Sequence, residues 1–67
     1  MTRRYTIDRF DSRNTSTRRA EAFVSSASAR KEARRLSMLA AYHHIVLTDE
    51  RGQWVEYEKG EQVSWSL

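Results

Sequence analysis

The sequence predicts an α+β fold: a single small domain in which an antiparallel β-sheet of about five strands carries one α-helix on one face, in the order β–β–α–β–β–β. Three observations predict it. Several short segments alternate apolar and polar residues, as half-buried strands do. One segment, 27–42, repeats its apolar residues at helical spacing. The chain has no proline and only Gly52 and Gly60, so regular elements are favoured over long coil.

The first strand is "RRYTIDRF" (3–10), with Tyr5 and Ile7 on one face and Arg4, Thr6 and Asp8 on the other. "DSRNTST" (11–17) has no apolar residue and reads as a polar turn. "RRAEAFVS" (18–25) reads as a second, weaker strand. Its small residues would also suit the start of a helix, but Phe23 and Val24 favour sheet, and the serines that follow look like a helix entry. Ser25, Ser26 and Ser28 are all N-cap candidates.

The helix is expected from about Ala27 to Tyr42. On a helical wheel Ala29, Ala33, Leu36 and Ala40 fall within about 60° of one another, a narrow inward stripe that should sit close against a sheet. The opposite face holds Arg30, Lys31, Arg34, Arg35, Met38 and Tyr42. "HHIVLTDE" (43–50) is a third strand, with Ile45 and Leu47 on one side and His44, Val46 and Thr48 on the other. "RGQW" turns the chain into "WVEYE" (54–58), where Trp54 and Glu56 oppose Val55 and Tyr57. Trp54 and Tyr57 are expected to be structural. "KG" makes another turn, and "QVSWS" (62–66) sets Val63 and Trp65 against Gln62, Ser64 and Ser66. There is no internal repeat.

Sixty-seven residues make one domain, 1–67. A chain of this size buries only about 60% of the surface its unfolded form exposes, so its core is marginal. Without cysteine it has no disulfide and no thiolate metal site. That suits a reducing compartment, and no stretch resembles a membrane span or a signal peptide, so a soluble, cytoplasmic, monomeric chain is expected.

The net charge of +3 is unevenly spread. Residues 1–35 carry ten basic side chains against four acidic ones, and residues 36–67 carry two against five. Ten of the twelve cations are arginine, the residue best suited to a bidentate grip on phosphate or carboxylate.

Nothing in the chain reads as an active site, a metal centre or a cofactor site, so no enzyme is expected. His43 and His44 are adjacent and should diverge rather than share a metal. No serine lies in a nucleophile motif, and no glycine-rich phosphate loop is present. Asp49, Glu50, Glu56, Glu58 and Glu61 cluster near hairpin turns, where charge discourages edge-to-edge pairing. The rings of Tyr5 and Trp65 could stack on bases, but in so small a domain they are expected in the core.

Binding is the better class. A basic helix face is often simply solvated, but two features favour an interface. Glu32 is the only acid between residues 25 and 48, so the basic face lacks the acidic partners that a solubilising helix carries. Met38 and Tyr42 extend the same face with apolar surface. The candidate contacts are therefore Arg30, Lys31, Arg34 and Arg35, with Tyr5, Met38 and Tyr42 at the edge. The partner would be nucleic acid or an acidic protein groove.

The order and spacing of several features resemble a known family. These are Tyr5 and Ile7 in the first strand, a serine-rich entry before "EARRLS" (32–37), a histidine opening the next strand, then "GQWVEY" with Gly52, Trp54 and Tyr57, and a charged turn with Gly60. Over nearly its whole length the chain resembles the small phage-encoded anti-CRISPR proteins of the ninth family acting on type I-F systems. The resemblance implies a protein made in a bacterial host cell from a phage or mobile element. It implies binding to the repeated backbone subunits of a crRNA-guided surveillance complex, where the inhibitor blocks hybridisation of target DNA. Some such proteins also let the complex hold duplex DNA non-specifically through the inhibitor's basic residues, and the resemblance extends that expectation here. Arg34 and Arg35 match part of the family's basic surface, and Tyr5 matches a strand residue near the interface. The alternatives from other classes are a small basic nucleic-acid-binding regulator and an assembly protein whose helix docks on an acidic subunit.

Overall fold

The computed structural model describes residues 2–66. The elements are β1 (Arg3–Phe10), β2 (Ser16–Phe23), α1 (Ser26–Ser37), β3 (His44–Thr48), β4 (Trp54–Glu58) and β5 (Glu61–Trp65). The strands form one antiparallel sheet in the order β2-β1-β3-β4-β5. This is the α+β architecture the sequence predicts. Because β1 pairs antiparallel with both neighbours, β2 and β3 run in the same direction on either side of it. The chain must therefore return across one face of the sheet between them, and α1 makes that return, packing mainly on β3 and β4.

The turns follow from a few residues. In the β1–β2 hairpin the Asp11 carboxylate accepts the backbone N–H groups of Arg13 and Thr15, both at 2.9 Å, and Asn14 takes a left-handed conformation. The β3–β4 hairpin repeats this design. Asp49 accepts from Arg51 and Gln53, again at 2.9 Å, and Gly52 occupies the left-handed position. The β4–β5 turn is the two-residue Lys59–Gly60, both at positive φ, the pattern of a hairpin turn matched to strand twist.

The core lies between α1 and the sheet. Tyr5 and Ile7 of β1, Ile45 and Leu47 of β3, Tyr57 of β4, and Ala29, Ala33 and Leu36 of the helix are buried together. Phe23, Tyr42 and Val55 pack at its margin. The alternation expected in β1, β3 and β4 is observed. The helix is capped by Ser25, whose Oγ accepts the Ser28 N–H at 3.1 Å.

Four expectations are corrected. The second strand starts at Ser16 rather than Arg18 and ends at Phe23, which leaves Val24 outside the sheet and exposed. The helix stops at Ser37, not Tyr42. Met38–Ala41 are good helix formers, so local preference does not end it. The 12-residue helix is about 18 Å long, close to the roughly 17 Å of a five-residue strand, and a longer one would overrun β3 and β4, the short strands on which it mainly packs. Ala40, expected inside, is consequently exposed. In β5 the register shifts between Glu56 and Tyr57, so that Ser64 opposes Glu56 while Gln62 opposes Tyr57. This bulge removes Val63 from the alternation and leaves it exposed. Trp54, expected to be core, lies opposite Thr48 on the face away from the helix and is only half-buried.

Candidate interaction surface

The outward side of α1 is defined by what its inward side buries. With Ala29, Ala33 and Leu36 against the sheet, a 100° step per residue puts Lys31 and Met38 on the crest. Arg30 and Arg34 fall on the flank toward β4 and β5, and Arg35 on the flank toward β1. All four cations are exposed. Arg34 lies over the buried Tyr57 ring, with its Cζ 5.9 Å from the ring centroid. Met38 is 69% exposed, and its side chain lies over the β4–β5 turn, where a Cβ on Gly60 would come within 3.0 Å of its Cγ.

The four cations are not equivalent. Arg35 donates to the Glu32 carboxylate at 2.5 Å across one turn. This hydrogen bond is the main reason the Glu32 carboxyl is held below its usual range, with the charges of Arg35 and Arg9 adding to it. The same bond raises the Arg35 guanidinium above its ordinary value. Arg30, Lys31 and Arg34 have no carboxylate partner among the described residues, so the uncompensated charge is concentrated on the crest and the β4–β5 flank.

Strand alternation adds two basic residues that the sequence reading passed over. Arg9 follows Tyr5 and Ile7 on the helix side of β1, and Arg19 stands opposite Ile7 on β2. Both approach Glu21, at 3.6 and 3.7 Å. The signal was present in "RRYTIDRF", whose period of two continues from Ile7 to Arg9.

Two of the expected edge contacts lie elsewhere. Tyr5 is 6% exposed and packs edge-on against Phe23 at 5.8 Å, so it belongs to the core and not to the outward face. Tyr42 lies beyond the end of the helix and folds back against the core. Its place on the wheel depended on a helix that has already ended. Trp65, expected in the core, is 54% exposed.

The face of the sheet away from α1 is organised by two contacts. Arg18 donates through Nε to Asp8 Oδ1 at 2.9 Å across the β1–β2 pair. His44 stacks on Phe10, with ring centroids 4.2 Å apart. His43 and His44 do not diverge as expected, since their Nδ1 atoms are 2.9 Å apart, one donating and one accepting. His43 precedes β3 in a bend, so strand alternation does not govern it. Among the described residues no three His, Asp or Glu side chains come together as a metal site would require. No helix is long and apolar enough to cross a membrane.

Searches of protein families, curated proteins and solved structures find no match to this chain.

Proposed function

We propose that this protein acts by binding and not by catalysis. In this reading it inhibits a type I-F crRNA-guided surveillance complex. It docks the crest of α1 on the repeated backbone subunits and so blocks hybridisation of target DNA. It would act in the bacterial host cell, as the product of a phage or mobile element.

The observation that carries the binding reading is the set of exposed cations on one rigid helix, Arg30, Lys31, Arg34 and Arg35, with a single carboxylate among them. Like charges held this close repel one another, and an acidic or phosphate-bearing surface relieves that repulsion while releasing screening ions. The partner comes from the family resemblance of "EARRLS" and "GQWVEY". A helix anchored through Ala29, Ala33 and Leu36 presents its charges with little ordering cost on association.

The test is a pull-down with the tagged protein from cells expressing a type I-F complex, followed by a target-DNA hybridisation assay. Retention of the complex and loss of hybridisation support the proposal. A salt-dependent shift of DNA by the isolated protein, with no retention of the complex, would instead make it a small nucleic-acid-binding regulator.

A further inference from the structure

We propose that the cleft between the start of α1 and strand β5 is a binding site for one unpaired base of a single-stranded nucleic acid. The bulge in β5 creates it. By shifting the register, the bulge sets Gln62 opposite Tyr57 and Trp65 opposite Val55, which places both on the helix side of the sheet. The helix covers β3 and β4 but makes no comparable contact with β5. The gap is an open cleft of about 150 Å³. Leu47 and Val55 line it from the sheet, Arg30 from the helix, and Gln62 and Trp65 from β5.

Three of the lining groups suit a base, while the Asp49 carboxylate, which also lines the cleft, is engaged by the Arg51 and Gln53 backbone N–H groups. The half-exposed Trp65 indole offers a flat face, and stacking on such a face tolerates any base. Arg30, free of any carboxylate among the described residues, offers a cation for the adjoining phosphate. The Gln62 amide carries both donors and acceptors, as the edge of a base does. Tyr5 also lines the cleft. Its ring is buried, its hydroxyl has no hydrogen-bond partner within the described residues, and no fully buried side-chain polar atom is left unpaired. The hydroxyl is therefore reached from the cleft.

Size narrows the ligand. The cleft is well below the volume that encloses a drug-sized molecule, yet it is open at the mouth. It suits one ring system presented by a strand whose backbone stays outside. An acidic peptide would use Arg30 but leave the indole and the amide without a role. The site shares Arg30 with the proposed docking surface on the helix but is centred on Trp65, which lies off the helix crest, so loss of stacking at Trp65 and loss of docking through Lys31 and Arg34 are separable.

The experiment is a titration of the full chain with short oligothymidylate, followed by amide and indole NMR shifts, and repeated with an abasic oligonucleotide of equal length and charge. The expected shifts centre on the Trp65 indole N–H, Arg30 and Gln62, with the abasic strand binding at least about tenfold more weakly, the loss of one stacked base. Trp65→Ala should lose a similar factor and Trp65→Phe should retain most of the affinity. Absence of oligothymidylate binding overturns the proposal. So does equal binding of the abasic strand, shifts confined to Lys31 and Arg35, or equal competition by an oligoglutamate peptide. Should Trp65→Ala fail to fold, Trp65→Phe and the abasic comparison still decide.

Discussion

Ser37 joins the end of the helix to the far hairpin: its Oγ accepts the Gly60 backbone N–H at 2.9 Å while donating to the Arg34 carbonyl at 2.7 Å. Ser37 is 2% exposed, so neither bond is easily replaced by water. The contact fixes α1, and with it the basic crest, relative to β4 and β5. Ser37→Ala would leave the Gly60 N–H without its partner and should cost about 1–2 kcal/mol. The check is urea denaturation, with a lower midpoint at unchanged slope. An unchanged midpoint would mean that the two elements are held by apolar packing alone.

Tyr57 and Trp54 share β4 but face opposite sides of the sheet, and their alanine variants should separate. Tyr57 is 1% exposed beneath the helix. Its removal should cost about 3–5 kcal/mol, comparable with the whole stability of a small domain, so Tyr57→Ala should lose cooperative thermal unfolding. Trp54 is half-buried on the uncovered face, and Trp54→Ala should still unfold cooperatively at a lower temperature. Equal loss in both would show that the uncovered face is as tightly packed as the helix side.

The Glu32–Arg35 pair gives a pH signature. The Glu32 carboxyl is held below its usual range chiefly by the hydrogen bond from Arg35. A lowered carboxylate pKa contributes stability that is present above the unfolded value and lost as pH falls through the folded one. Wild type should therefore melt slightly above Glu32→Gln at neutral pH, and the gap should close on acidification through the carboxylate range. The effect is small because the pair is exposed. At neutral pH the same substitution frees Arg35 and should strengthen binding to an acidic partner a few-fold. Weaker binding would assign Glu32 itself to the interface.

Much of this architecture is legible in the sequence because burial imposes a period. Tyr5 and Ile7, then Ile45 and Leu47, announce their strands by alternation, and Ala29, Ala33 and Leu36 announce the buried helix side. What escapes is set by tertiary fit. Met38–Ala41 would continue a helix in isolation, and the length of β3 and β4 beneath it and the return to β3, where the His43 N–H meets the Phe10 carbonyl, end it at Ser37. The bulge opposite Glu56 and Tyr57 has no local signal, so the sequence puts Val63 on one face with Trp65, and Trp65 in the core, and both are exposed. Lys31 and Arg34 were legible as outward charges. That Arg35 is engaged by Glu32 follows from their three-residue spacing, whereas the placing of Tyr42 needed the helix end.

The salt response should follow the same division of charge. If the crest meets phosphates or a fixed acidic surface, affinity falls as ionic strength rises. Arg35→Gln, which removes a compensated charge, should lower the affinity and its salt dependence less than Lys31→Gln does. The comparison is affinity measured across a salt series. Equal slopes for the two variants would show that Glu32 does not shield Arg35 in the complex.

The central claim is that the crest of α1 is the working surface. The most direct measurement is the affinity of a purified type I-F surveillance complex for the wild-type protein and for the double variant Lys31→Glu with Arg34→Glu, with circular dichroism recorded on both. This pair leaves the Glu32–Arg35 bond intact, and a glutamate at position 31 can pair with Arg35 four residues on, so the helix should survive. An interface arginine such as Arg34 commonly contributes about 2 kcal/mol or more, and reversing the Lys31 and Arg34 charges adds repulsion. The predicted result is binding weakened at least about 100-fold with unchanged helicity. Undiminished affinity in a folded double variant, or no binding by the wild-type protein, would contradict it.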